Sequence, residues 1–361
     1  REVRQMKAQG KPIINMGIGS PDLAPSELVV NEMKRSMSDR GAHQYQSYQG
    51  LPKLREAIAD FYENRFSVAL NPNTGVLPLM GSKEGIMHIS MAFLNQGDGV
   101  LIPNPGYPTY TSVTKLVGAQ PVYYDLWEGD GWFPDLDRLG RENMGNIKLM
   151  WVNYPHMPTG ARASKEQLEE LVAFAREHQI LLVNDNPYSF ILNQEPLSLL
   201  GLEGAKEVAL ELNSLSKTFN MAGWRVGMVV GREEYISAIL RVKSNMDSGM
   251  FHGIQKGAIA ALHCGDTWYR ELNEVYATRR QLMFKLATTL HCSFDRNTAG
   301  MFVWAKLPPG VPSSEEFIDN LLHDKHIFVA PGTIFGSQGE GYIRFSLCVK
   351  EAEIEEAIGR I

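Results

Sequence analysis

Short apolar runs that end in small or polar residues recur along the first two thirds of the chain. Such runs are typical of buried strands, and stretches with helical periodicity separate several of them. The sequence predicts strands at residues 13–18, 76–80, 100–102, 148–153, 180–183 and 207–212. Helices are predicted over residues 51–65, from Gly81 to about residue 94, and after Ser164, which begins a capping box with Gln167. This alternation predicts an α/β fold with an open parallel sheet.

The pattern changes after Arg232, where the chain becomes mainly helical. Residues 266–290 form a long amphipathic stretch, which we expect to link a large domain to a smaller one. Two further strands are predicted at residues 301–305 and 342–347, with a loop at residues 331–336 before the second. With 361 residues, the chain is long enough for two domains.

Composition and charge narrow the function classes. The 35 basic residues are outnumbered by 41 acidic ones, and the net charge of −6 argues against a nucleic-acid-binding surface. The three cysteines (Cys264, Cys292 and Cys348) have no paired spacing, so they predict neither a zinc site nor a disulfide framework. We therefore expect a reducing compartment, the cytoplasm. No apolar run approaches the roughly 18 residues of a membrane helix. The chain starts at Arg1, so we expect a preceding segment, and it could include a targeting signal.

One run carries the strongest chemical signal, residues 214–227 (SLSKTFNMAGWRVG), directly after a predicted buried strand. Lys217 lies at the strand's exit between small residues, which let a bulky ligand approach the backbone. A lysine in such a place is partly desolvated, and this favours its neutral, nucleophilic form. Arg225 offers a planar fork that suits an anion such as phosphate. Taken alone, Lys217 could equally be an ordinary surface lysine after a strand.

Polar residues follow several other predicted strands. Ser82 and Lys83 open a helix, and backbone N–H groups at a helix start can bind phosphate. Asn153 and Asp185 each stand at a strand end. Because the carboxyl ends of parallel strands meet at one edge of a sheet, the sequence predicts a ligand site there.

The run around Lys217 resembles the lysine attachment site of the class I/II pyridoxal-phosphate aminotransferases. Similar segments follow in the family's order from Gly19 to Arg344, and residues 244–251 are most like the aspartate and LL-diaminopimelate aminotransferase branch. The resemblance implies fold type I, with a mostly parallel sheet in a large domain and a smaller α+β domain. The large domain would span residues 28–270, and the small domain would combine residues 1–27 with 271–361.

The resemblance also implies a role for each matching residue. Lys217 would bind the pyridoxal 5′-phosphate covalently and move the substrate's proton. Residues implied to bind the cofactor's phosphate are Ser82, Lys83, Ser214, Arg225 and, from the neighbouring subunit, Tyr45. Residues implied to surround its ring are Tyr107, which stacks on it, Asn153, Asp185, which pairs with the ring nitrogen, and Tyr188, which donates to the phenolic oxygen. Met157 departs from the family, which has an asparagine donor there. Gly19 and Arg344 would contact the substrate, with Arg344 on its α-carboxylate.

These roles imply an aminotransferase that moves an amino group between an α-amino acid and a 2-oxo acid by a ping-pong mechanism. The resemblance further implies a homodimer with shared active sites, acting without nucleic acid or membrane. Two alternatives share these residues. A carbon–sulfur β-lyase would release pyruvate and ammonia without an acceptor 2-oxo acid, and a pyridoxal-phosphate-sensing domain would carry an added DNA-binding domain.

Overall fold

The computed structural model describes residues 2–361. Its strands, in chain order, are β1 (Ile14–Asn15), β2 (Val76–Leu79), β3 (Gly99–Asn104), β4 (Gln120–Asp125), β5 (Ile147–Val152), β6 (Leu181–Asp185), β7 (Ala209–Ser214), β8 (Gly227–Gly231), β9 (Ser293–Phe294), β10 (Phe302–Lys306), β11 (Ile327–Phe328), β12 (Ala330–Pro331) and β13 (Tyr342–Ser346).

Seven of the described strands form the large sheet, in the order β2-β8-β7-β6-β5-β3-β4. Five adjacent strands of this sheet are parallel to one another, namely β7, β6, β5, β3 and β4. Strand β8 lies antiparallel to both β2 and β7. Every residue of β3, β6 and β7 is buried, as expected where helices cover both faces of a parallel sheet. The predicted α/β fold with a mostly parallel sheet is confirmed.

Helices connect and cover these strands. They are α1 (Glu2–Ala8), α2 (Glu27–Ser36), α3 (Pro52–Phe66), α4 (Ser82–Phe93), α5 (Pro108–Leu116), α6 (Leu136–Gly140), α7 (Lys165–His178), α8 (Ala205–Val208), α9 (Leu215–Thr218), α10 (Glu233–Lys243), α11 (His252–Leu262), α12 (Asp266–Thr289), α13 (Ser314–Lys325) and α14 (Glu351–Arg360). The capping box predicted at Ser164 is present: its hydroxyl accepts from the Gln167 N–H, and the Gln167 side chain accepts from the Ser164 N–H. No helix within residues 2–361 is long and apolar enough to cross a membrane.

A second, antiparallel sheet lies in the last quarter of the chain, in the order β12-β13-β10-β9. Helix α12 packs against α14 and β10, so the long predicted helix ends beside this sheet. The ion pairs of Arg279 on α12 hold the N-terminal segment in place: its guanidinium donates to Asp22 Oδ1 at 2.7 Å and to Glu351 Oε1 at 2.9 Å. This places residues 17–22 at the junction of the two sheets.

Some boundaries differ from the sequence prediction. Of residues 13–18, only Ile14 and Asn15 form a strand, β1, which pairs with β11. The backbone of Gly17 instead bonds to side chains: its N–H donates to Asn15 Oδ1, and its carbonyl oxygen accepts from Arg344. The loop predicted at residues 331–336 holds one turn of 3₁₀ helix at Gly332–Phe335. Strands β4 and β8 and the two-residue strands β9, β11 and β12 were not predicted.

Candidate active site

A cavity of about 330 Å³ opens beside the carboxyl ends of β6 and β7 and the start of α4. Every site residue predicted from the sequence except Tyr45 lines it: Gly19, Ser82, Lys83, Tyr107, Asn153, Met157, Asp185, Tyr188, Ser214, Lys217, Arg225 and Arg344. Tyr45 lies outside this cavity and is 90% exposed. The strand ends thus bring together residues that are up to 325 positions apart, from Gly19 to Arg344.

Lys217 lies in the short helix α9, immediately after β7 ends at Ser214. Its ammonium donates to the Gly19 carbonyl oxygen at 2.5 Å. Burial, the largest cause, lowers the pKa of Lys217, and the nearby charges of Arg344 and Arg225 lower it further. A lysine with a lowered pKa supplies more of the neutral amine that a nucleophile or a proton acceptor must be.

Asp185 ends β6 at the base of the cavity and is 5% exposed. Its Oδ2 accepts from the Tyr110 hydroxyl at 2.9 Å, whereas its buried Oδ1 has no hydrogen-bond partner among the described residues. Burial raises the pKa of Asp185 to about 6, although the Tyr110 hydrogen bond and the Lys217 charge lower it. A buried carboxylate oxygen without a partner is costly, and it marks the place where a cationic or N–H group of a ligand would bind.

Another group of lining residues suits an anion. Helix α4 begins at Ser82, where its first backbone N–H groups lack helical partners. Gly81 precedes it with φ of +89°, and a Cβ at that position would overlap the Arg225 guanidinium. Arg225 is anchored by donating to the Ala222 carbonyl oxygen at 2.8 Å. Ser214 Oγ accepts from the Ser216 N–H at 3.1 Å, which fixes its hydroxyl beside them. A helix start, a guanidinium and a hydroxyl together form a phosphate seat.

Arg344 reaches the cavity from β13 and is 7% exposed. Its guanidinium lies 4.0 Å from the centre of the Phe302 ring and 4.6 Å from that of Phe335. Nη2 donates to the Gly17 carbonyl oxygen at 2.9 Å. Burial lowers the pKa of Arg344 to about 10. The buried cation faces no carboxylate within hydrogen-bond or ion-pair distance among residues 2–361, so an anionic ligand would supply the missing charge.

Asn153 and Met157 are held by backbone contacts. The Asn153 amide donates to the Asp185 carbonyl oxygen at 2.5 Å, and its Oδ1 accepts from the Met157 N–H at 2.8 Å. Asn153 therefore fixes two neighbouring parts of the site. Burial raises the pKa of Tyr188, so its hydroxyl remains a donor at neutral pH. Tyr107 caps α5, at the edge of the same cavity.

These features fit pyridoxal phosphate. The phosphate seat lines the cavity, and the unpartnered Asp185 oxygen suits a protonated ring nitrogen. Lys217 lines the same cavity as an amine with a lowered pKa. Tyr107 supplies an aromatic ring and Tyr188 a hydroxyl donor. The cavity therefore offers an appropriate group for each polar part of this cofactor.

Sequence reasoning missed other lining residues: Tyr110, Pro187, Ser216, Ala222 and Phe302. For two of these residues, Tyr110 and Phe302, the sequence contains a pattern that could have indicated them. Tyr110 follows Tyr107 by three positions at a predicted loop end, so it lies near the same face of a helix start. Phe302 belongs to the alternating strand that was predicted at residues 301–305, and alternation alone does not say which face meets a ligand.

Comparisons with known proteins agree with this geometry. The family model described as aminotransferase class I and II matches residues 11–361. An LL-diaminopimelate aminotransferase of Nitratidesulfovibrio vulgaris is 40% identical over 360 residues, which cover 99% of this chain and 92% of that protein. A second protein of that name, from Dehalococcoides mccartyi, is 39% identical over 363 residues and is covered to 93%, with 100% of this chain matched.

Solved structures show the same architecture. Substrate-bound BacF from Bacillus subtilis superposes with a TM-score of 0.95 at 36% identity, covering 99% of this chain and 92% of that one. A probable N-succinyldiaminopimelate aminotransferase from Thermus thermophilus superposes with a TM-score of 0.93 at 33% identity, covering 99% and 97%.

Proposed function

Because the chain belongs to the class I and II aminotransferase family, whose members depend on pyridoxal phosphate, we propose that it transfers amino groups in the cavity around Lys217. The chain is a pyridoxal-phosphate-dependent aminotransferase, and its substrates are an α-amino acid and a 2-oxo acid. The convergence of Lys217, Asp185 and Arg344 on one cavity carries the proposal for the site. No part of it needs a metal ion.

Each residue has a distinct role in this proposal. Bound pyridoxal phosphate supplies an electron sink for the bond that breaks at the substrate's Cα. Lys217 would hold the cofactor covalently through Nζ, and its amine, set free when the substrate's amino group takes its place, would accept the proton from Cα. Asp185 pairs with the ring nitrogen, and Arg344 orients the substrate through its α-carboxylate. The residues proposed to complete the cofactor site are Ser82, Lys83, Tyr107, Asn153, Met157, Tyr188, Ser214 and Arg225. The two half-reactions alternate in a ping-pong cycle.

The amino donor is the part of the proposal that most needs a measurement. The relatives named LL-diaminopimelate aminotransferase match nearly the whole chain at about 40% identity, which supports LL-diaminopimelate as the first donor to test. A panel of amino acids should be assayed with 2-oxoglutarate, and glutamate should be quantified. A β-lyase would instead form pyruvate and ammonia without 2-oxoglutarate. Lys217→Ala is the control, since it removes the proposed amine and leaves the fold's other contacts in place.

We also propose that two copies of the chain share their active sites, with Tyr45 reaching the partner's phosphate seat. The support is the position of Tyr45, which is 90% exposed and does not line the cavity of its own chain. An aromatic side chain that is left this exposed in the single chain is available for contact with a second copy.

The proposed domain division is 28–270 for the large domain, with 1–27 and 271–361 forming the small one. Two apolar clusters support it: one runs from Val29 to Tyr269, and another combines Ile14 and Met16 with residues 272–357, joined by Met157, Tyr188 and Ile191 where the domains meet. The three cysteines are all free, which supports the proposed cytoplasmic location.

A further inference from the structure

The hydroxyl of Tyr110 occupies one oxygen of Asp185. It donates to Oδ2 at 2.9 Å, and Tyr110 itself is completely buried. The other oxygen, Oδ1, is buried without a partner among the described residues. The carboxylate is thus anchored through one oxygen and presents the other to a ligand.

Packing fixes the Tyr110 ring independently of this hydrogen bond. The ring stacks on Trp151 of β5, with centroids 5.0 Å apart and planes 6° from parallel. The Tyr107 ring meets it at 87°, with centroids 5.6 Å apart. Burial raises the pKa of Tyr110 well above its ordinary value, so the hydroxyl stays protonated. Tyr110 is therefore a donor whose place is set by the large sheet and α5, as a positioning group requires.

We propose that Tyr110 is a positioning residue for the reaction: it holds Asp185 in the orientation that directs Oδ1 at the ring nitrogen of bound pyridoxal phosphate. The inference rests on the role proposed above for Asp185. Tyr110 is expected to contact neither the reacting atoms nor the substrate, and to act only through the carboxylate.

The same hydrogen bond also keeps Asp185 ionised. Burial raises the pKa of this carboxyl to about 6, and the donated hydrogen bond and the charge of Lys217 oppose the rise. Tyr188 also interacts with the charge of Asp185, and because burial raises the pKa of Tyr188, its hydroxyl is neutral at working pH. Without the Tyr110 hydroxyl, the pKa of Asp185 would rise further, and the protonated carboxyl would pair poorly with a protonated ring nitrogen.

The test is the pH dependence of cofactor affinity, measured by equilibrium dialysis of pyridoxal phosphate between pH 5.5 and 8.5. Tyr110→Phe removes only the hydroxyl and keeps both ring contacts. We expect its affinity at pH 7 to fall by about tenfold or more, because hydrogen bonds to charged groups are the stronger ones. The loss of affinity on acidification should also begin at a higher pH than in the wild type.

The matched control is Tyr124→Phe. Tyr124 is also buried, and its hydroxyl donates to the Trp151 carbonyl oxygen at 2.6 Å rather than to Asp185. This variant should bind cofactor with the wild-type pH profile. If both variants shift alike, the effect comes from losing a buried hydroxyl in general, and the inference fails.

Replacing Tyr110 by 3-fluorotyrosine provides a second arm that preserves the packing. The fluorinated phenol is a stronger donor of nearly the same shape, so acidification should weaken cofactor binding at a lower pH than in the wild type. Superimposable profiles for the wild type, Tyr110→Phe and the fluorinated protein would overturn the inference. Asp185→Asn distinguishes a failure of the Tyr110 inference from a failure of the role proposed for Asp185. If this variant retains full cofactor affinity and activity, the role proposed for Asp185 itself is wrong.

Discussion

The Arg344 guanidinium donates to the thioether of Met157, with Nη1 3.3 Å from Sδ. A thioether is a weak, uncharged acceptor, so this contact orients the arginine without neutralising it. Nε of Arg344 has no partner in the described part of the chain, and the guanidinium lies over the rings of Phe302 and Phe335. The Arg344 guanidinium is therefore held in place, while its charge and its Nε–H group remain available to bind a carboxylate.

Arg344→Ala tests whether this cation binds the substrate. Because the pair with the α-carboxylate would be buried and bidentate, its loss should weaken every α-amino acid substrate by about 2 kcal/mol or more. KM should rise for several chemically different donors. Arg162→Ala is the control, since Arg162 binds Asn297 outside the cavity. Unchanged KM values in Arg344→Ala would show that the residue serves only the fold.

Lys217→Ala should abolish covalent attachment of the cofactor. Borohydride reduction of the loaded wild-type protein should fix pyridoxal phosphate to the peptide that contains Lys217, and the variant should give no labelled peptide. Loss of the proton-transferring amine should lower kcat by about 10²–10⁴-fold or more. Lys83 lines the same cavity and is the internal comparison. A label on Lys83 in the wild type would contradict the assignment.

Mixing two inactive variants tests the shared active site. If Tyr45 contributes to the partner's site, a homodimer of Lys217→Ala chains has no intact site. The same holds for a homodimer of Tyr45→Ala chains. In a mixed dimer, one site receives both substitutions and the other receives neither. Refolding the two variants together should therefore restore part of the wild-type activity. No recovery above that of the separate variants, with mixed dimers confirmed by mass spectrometry, would refute the role of Tyr45.

Glu211 of β7 gives a prediction on stability. It is fully buried and accepts from the Tyr62 hydroxyl at 3.0 Å and the Leu199 N–H at 3.0 Å, and burial still raises its pKa. A carboxyl whose pKa is higher in the folded than in the unfolded state stabilises the fold when the pH is below its unfolded-state pKa. This stabilisation is lost as the pH rises through its folded-state pKa. Glu211→Gln does not titrate, and its amide can donate to the Tyr62 oxygen. The variant should thus gain stability relative to the wild type as the pH rises from 5 to 8.

Urea unfolding at the two pH values measures this difference. Tyr62→Phe is the companion variant, because it removes one donor to Glu211 and should make the wild-type carboxyl harder to ionise. A stability difference between Glu211→Gln and the wild type that does not change with pH would contradict the prediction.

The site residues that the sequence predicts best are those that directly follow a buried strand. Lys217 and Asp185 were placed because each follows a buried run, and strand ends of a parallel sheet meet at one edge. The antiparallel direction of β8 was not predictable, since an apolar run does not show which way its neighbour runs. Tyr110 was missed because its partner Asp185 lies 75 positions away, a contact that only the folded sheet creates. The role proposed for Tyr45 requires a second chain, which no pattern within one chain reveals.

Met157 is the position where the sequence is predicted to depart from the family's asparagine donor, and its substitution tests what such a departure does. The Met157 N–H is already held by Asn153 Oδ1, so the backbone should stay in place when the side chain changes. An asparagine amide could donate to the phenolic oxygen of bound pyridoxal phosphate, as the thioether cannot. A hydrogen bond to a charged oxygen is worth about 1.5–3 kcal/mol, or about one to two pKa units. Met157→Asn should therefore shift the pH titration of the loaded protein's visible absorption to lower pH, whereas Met157→Leu, which adds no donor, should titrate like the wild type. If the wild type and Met157→Asn titrate at the same pH, another group already donates to that oxygen and the departure has no electrostatic consequence.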